Sequence, residues 1–178
     1  MTKRSPFLLH YSILGIEIIL FLFTSFAFSY NRITGNSMEK TLIKGDKVLV
    51  NKMSDSIDDF KRFDIVVAQR PSKEKSRVQI IVKRVVGFPG EKIEYKSRKL
   101  FINGTEIKDP FANGNTNDFN LYNLYGAERV PEDMIFVLGD NRENSLDSRS
   151  SEIGFISAKH IQGKAIMRHQ PFSRFKVF

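Results

Sequence analysis

The sequence predicts one membrane-crossing helix followed by an all-β domain, and three observations carry that prediction. Residues 7–30 are apolar apart from His10, Glu17 and small hydroxyls. As a helix, those 24 residues rise about 36 Å, enough for a hydrocarbon core of about 30 Å. Beyond them, short runs of β-branched and aromatic residues alternate with Gly, Asn and Asp turns, and no stretch keeps a helical period. The chain has 178 residues, material for one domain with a real core and an insertion.

Lys3 and Arg4 precede the apolar run, which places residues 1–6 as a short cytoplasmic N-terminus, 7–30 as the anchor and 31–178 as an extracytoplasmic β domain. Ala27-Phe28-Ser29 has the small-x-small form of a signal-peptide cleavage site, but the run is much longer than an ordinary h-region and favours an uncleaved anchor. A buried core helix is disfavoured by apolar residues on every face and by the terminal position. Lys47–Lys52 alternates as a strand after the Gly45-Asp46 turn, and Phe63–Ala68 reads as a second. A charged loop over 70–77 follows, then the strongest strand, Val78–Val86. Leu100-Phe101-Ile102 before Asn103-Gly104 predicts a hairpin with a type I′ turn. Residues 92–131 read as an irregular insertion, rich in Asn, Gly and aromatics over 109–131. Met134–Leu138 and Lys164–His169 read as the last strands, ahead of a basic, aromatic tail.

Composition narrows the chemistry. With no cysteine, thiol catalysis, disulfides and zinc-thiolate sites are excluded. The three histidines are scattered, so a His-based triad or His metal cluster is poorly supplied, and neither metal nor cofactor is expected. The net charge of +8 suits an anionic membrane surface or nucleic acid. No helix-turn-helix, RNP-like or basic-aromatic repeat supports nucleic acid.

Three fragments concentrate polar function. Gly139–Arg149 packs three carboxylates, two arginines, two serines and two amides into eleven residues, with Leu146 the only apolar side chain. That mixture suits a loop that builds its own salt-bridge network and holds a hydroxyl such as Ser145 in place. In Val78–Val86, alternate positions place Lys83 with Gln79, Ile81 and Val85. Lys83 is either a strand-edge lysine that reaches water or a desolvated amine able to act as a general base near neutral pH. Ser37 follows Gly35-Asn36 in a turn, where it is a plain turn residue or a nucleophile whose own amide faces an oxyanion. A serine nucleophile needs an adjacent base, and lysine is the credible partner in this chain.

The fragments Gly35–Leu42, Lys83–Glu91 and Gly139–Arg149, in this order behind an N-terminal anchor, resemble the type I signal peptidases, membrane serine proteases that remove signal peptides from exported proteins. Phe63–Val67 is similar to that family's Gly-Asp-Ile-Val strand, and the short insertion and single anchor look like its Gram-positive members. The resemblance implies a mostly antiparallel β fold, Ser37 as nucleophile, Lys83 as general base, and Ser145 hydrogen-bonding the amine. It implies an Asp147–Arg149 salt bridge beneath the site, completed by Asp140 and Arg142, with Met38 packed beside the nucleophile. The Ser37 amide becomes one oxyanion donor. Gly35 stands where some members carry a serine that gives the second. Secretory preproteins and the lipid bilayer become the partners. The family's Ser-Met-x-Pro-Thr box departs at Lys40, which occupies the proline position. That departure motivates an alternative, a non-catalytic or weakly active paralogue that binds signal peptides and regulates processing.

Overall fold

The computed structural model describes residues 6–54, 56–70 and 79–178. Lys3 and Arg4, most of the charged 70–77 loop and the first residue of the predicted Val78–Val86 strand lie outside the described residues. The first helix, α1 (Pro6–Ala27), carries an 18-residue window from His10 to Ala27 that is long and apolar enough to cross a membrane. It ends three residues before the anchor predicted for 7–30. Phe28–Tyr30 belong instead to β1 (Phe28–Arg32), which pairs with β2 (Lys47–Asn51) from Phe28↔Asn51 to Arg32↔Lys47. In the sequence those residues merely prolong an apolar run; the partner strand decides their conformation.

The domain that follows is all-β, as predicted, and its strand pairs are antiparallel. After β1 and β2 come β3 (Ile65–Arg70), β4 (Gln79–Gly87), β5 (Ile93–Lys96), β6 (Lys99–Ile102), β7 (Thr105–Ile107) and β8 (Phe119–Asn120). A one-turn helix, α2 (Leu121–Tyr125), precedes β9 (Met134–Leu138), β10 (Ile156–Ser157), β11 (Ile161–Gln170) and β12 (Lys176–Val177). The larger sheet runs β1-β2-β11-β3-β4-β9-β10, with β12 on β11. The smaller runs β7-β6-β5-β8.

The smaller sheet corrects the reading of 92–131 as irregular. Ile93, Tyr95, Leu100 and Ile102 are buried while Glu94, Lys96 and Lys99 are exposed, the period-two signature of a one-faced sheet. Its strands are too short to stand out in the sequence. The Asn103-Gly104 turn has φ of 51° and 82°, as the type I′ geometry requires. Helix α2 was not expected either; Asn120 caps it by accepting from Asn123 N–H at 2.8 Å, and Gly126 ends it at φ 67°.

Two of the apolar clusters position the site. Val86, Phe136 and Leu138 join the larger sheet to Ile93, Tyr95, Leu100 and Phe119 of the smaller one. Ile33, Met38, Leu42, Val48, Val50, Ile65, Val67 and Ala165 form a second core under the 33–46 loop. That loop is pinched at its base, where Ile33 N–H donates to Asp46 O and Gly45 N–H to Ile33 O, both at 2.8 Å.

Candidate active site

Met38 fixes the turn that carries Ser37. Its side chain is 1% exposed in the core under the loop, a burial that contributes about 2 kcal/mol. The turn closes above it through Thr41 N–H to Met38 O at 3.0 Å, with Lys40 at φ 77°. Ser37 is left half-buried on the wall of a groove of about 750 Å³. Tyr30–Met38, Gln79–Lys83, Asn144 and Leu146 line that groove.

Lys83 lies in β4 opposite Val66 of β3, one residue before the pairing with β9 begins at Arg84↔Leu138. This mid-sheet position decides between the two readings of the lysine. It is 4% exposed, and its Nζ lies 2.5 Å from Ser37 Oγ and 3.2 Å from Val82 O. Burial lowers its pKa from 10.5 to about 8; the Asp147 and Asp140 carboxylates oppose that fall and Arg149 adds to it. At pH 7 about a tenth of the amine is therefore uncharged. The neutral form is able to accept the hydroxyl proton, and the charged form donates to the same oxygen.

The loop 139–149 is packed as a network. Asp147 is fully buried and accepts from Arg149 Nε at 2.8 Å, from Arg149 Nη2 at 2.9 Å and from Gly139 N–H at 2.9 Å. The salt bridge expected between those two residues is bidentate. Asp140 and Arg142 do not pair with each other. Asp140 takes both arms of Arg84, at 2.7 and 2.6 Å, while Arg142 pairs with Asp109 and donates from Nε to Gly139 O at 2.9 Å. Ser145 departs from expectation. Its Oγ is buried without a hydrogen-bond partner, so the bond to Lys83 is not made. The hydroxyl packs against Gly139, where an added Cβ would collide with it and with the Ser37 carbonyl. Gly35 is exposed, with open space where a side chain would project.

Four residues that buttress the site were not singled out in the sequence. Arg84 and Asn141 lay inside the quoted fragments, as a strand arginine and a loop amide. Asp109 and Tyr125 carried no signal, because their partners stand 33 and 23 residues away. Phe111 packs under the Arg84 guanidinium at 3.6 Å from its ring centre, and Asn113 exchanges backbone hydrogen bonds with Asp140 and Arg142 at 2.8 and 2.7 Å. The smaller sheet thus sends the strap 109–115 and the Tyr125 hydroxyl, which donates to Ser148 O, against the loop that underlies the dyad.

A serine hydroxyl in contact with a dry amine, at the wall of an open groove in an antiparallel β domain, is the arrangement in which a lysine can serve a serine as base, as in one class of serine hydrolases. The chain belongs to the signal peptidase family, peptidase S26, whose family model matches residues 8–170. It is 41% identical to signal peptidase I of Bacillus caldolyticus over 84% of each chain. It is also 37% identical to signal peptidase I P of Bacillus subtilis subsp. natto over 99% of this chain and 98% of the relative. The crystal structure of a signal peptidase I from Enterococcus faecalis V583 superposes with a TM-score of 0.51 at 36% identity, over 59% of this chain and 95% of that one.

Proposed function

We propose that this protein is a membrane-anchored serine endopeptidase that removes N-terminal signal peptides from secreted preproteins, with Ser37 as nucleophile and Lys83 as general base. The observation that carries the reading is the 2.5 Å contact between Ser37 Oγ and a lysine amine only 4% exposed. The neutral amine takes the hydroxyl proton as Oγ attacks the scissile carbonyl. The Ser37 N–H donates to the developing oxyanion, and the resulting ammonium returns the proton to the leaving amine. Water then repeats the cycle on the acyl-enzyme. The Asp147–Arg149 pair, with Asp140 and Arg142 each held by its own partner, keeps the floor rigid. The amine is oriented by Val82 O, 3.2 Å from Lys83 Nζ on the strand that carries it. An extended substrate segment lies along the groove, its small side chains against Ile33, Met38, Ile81 and Val82. On this reading helix α1 is the anchor, supported by its apolar window from His10 to Ala27, and the groove faces the outer side of the bilayer.

Lys40, which motivates the non-catalytic alternative, is exposed, and the dyad contact is formed with that lysine in place. Purified protein in detergent is expected to process a secretory precursor, and Ser37→Ala or Lys83→Ala to abolish processing while both variants still bind the signal peptide. Precursor binding by the wild type without turnover would refute the enzyme and favour the regulator.

A further inference from the structure

Asn141 ties the nucleophile turn to the rest of the domain through three contacts. Its backbone N–H donates to Ser37 O at 3.0 Å. Its side-chain Nδ2 lies 3.2 Å from Asn36 O and 3.3 Å from a Glu39 carboxylate oxygen. Both neighbours are acceptors, so only the orientation that presents the NH2 group satisfies the site. The side chain is buried, with the residue 8% exposed. Its own position is fixed from behind, since the flanking Asp140 O and Arg142 N–H bond to Asn113 of the strap.

The carbonyl that Asn141 holds is half of a particular peptide unit. Asn36 C=O and Ser37 N–H share one plane and, in a trans peptide, point in opposite directions. Fixing Asn36 O against Asn141 therefore fixes the direction of Ser37 N–H, which faces away from Asn141. Asn36 O also accepts from Glu39 N–H at 3.0 Å. Glu39 belongs to the same turn and moves with it, whereas Asn141 belongs to a different loop and anchors the turn to the body. A bond accepted at the carbonyl also polarises the peptide and strengthens its N–H as a donor.

We propose that Asn141 is a positioning residue for the oxyanion donor: its side-chain amide aims the Asn36–Ser37 peptide so that Ser37 N–H meets the negative oxygen of the tetrahedral intermediate. The proposal rests on the serine-endopeptidase reading above, in which that N–H faces the oxyanion. The position of Lys83 and its proton transfer do not depend on this amide, so the two halves of the site are separable by mutation.

The test compares Asn141→Ala with wild type on one peptide substrate, after Ser37→Ala has shown that turnover belongs to the dyad. The expected result is a fall in kcat of about tenfold or more with KM within about twofold, because a preorganised donor acts in the transition state. The pH midpoint of kcat stays at its wild-type position. A peptide aldehyde, which forms a tetrahedral adduct on the serine, loses affinity by the same factor as kcat/KM, while an uncleavable peptide binds as before. A kcat within about twofold of wild type overturns the proposal. So does a loss accompanied by a displaced pH midpoint or by unchanged aldehyde affinity, since either marks general loosening of the site. If Asn141→Ala does not fold, Asn141→Asp keeps the side-chain volume without the NH2 donor and is read by the ratio of aldehyde to uncleavable-peptide affinity. Loss of turnover in the wild type itself would sink the enzyme reading instead, and the two failures remain distinct.

Discussion

Lys83 links catalysis to stability. Its pKa in the folded protein, about 8, lies below the 10.5 of an exposed lysine. Turnover is expected to climb as pH rises from 6 to 9 and to level off above the midpoint; a flat profile over that range would exclude a lysine base. The same displacement sets the sign for folding. Between pH 8 and 10.5 the unfolded chain binds more protons at this site, so stability rises with pH across that window. At pH 7 the burial of the ammonium costs roughly 3 kcal/mol. Lys83→Met, similar in volume and uncharged, is expected to abolish activity while raising Tm at pH 7, with the gain shrinking by pH 10. A lower Tm at pH 7 would contradict the burial penalty.

At the scale of elements, the turn Met38–Thr41 explains how a lysine replaces the proline expected from the family box. Lys40 has φ 77°, and a proline ring holds φ near −65°. This turn as it stands cannot hold the proline of the family box. Lys40→Gly is expected to preserve activity and raise stability by up to about 1 kcal/mol, since glycine enters this region without a Cβ clash. Lys40→Pro is expected to cut kcat by distorting the turn, and wild-type kcat in that variant would show that the turn tolerates both paths. Parallel denaturant melts and single-substrate kinetics check both.

Legibility in the sequence varied by element for physical reasons. The anchor, the strand around Lys83 and the 139–149 loop each carry a dense local signal: an unbroken apolar run, a β-branched run and a rare mixture of charges. Strands β5 to β8 carry three or four residues or fewer apiece and gain their order from facing β9 and β4, so the sequence offered only the Asn103-Gly104 turn. Among the candidate residues, Ser37 and Lys83, which the fold brings into contact, each sit in a distinctive fragment, and Asp147–Arg149 is a local pair. Asp140 and Arg142 stood out in the same loop without their partners, because Arg84 and Asp109 arrive from another strand and another loop.

On the scale of the whole molecule, two sheets share one task. The larger one bears Lys83 and the Ser37 loop, and the smaller one sends Asp109, Asn113 and Tyr125 beneath the loop that supports them. Chain connectivity adds a second coupling. Helix α1 ends at Ala27, β1 begins at Phe28, and Tyr30 to Arg32 already form part of the groove wall. Lys52 reinforces the junction by donating from N–H to Ala27 O at 2.8 Å and from Nζ to Ser25 O at 3.1 Å. No slack separates the apolar rod from the groove. On the proposed reading, the junction would work as a fixed-length ruler, setting how far above the lipid a tethered precursor must extend before its scissile bond meets Ser37. A flexible Gly-Ser insert ahead of Ala27 is expected to leave hydrolysis of a short soluble peptide unchanged. The same insert should slow or misplace the cut in a precursor embedded in vesicles, and equal rates on both substrates would show that no such ruler operates.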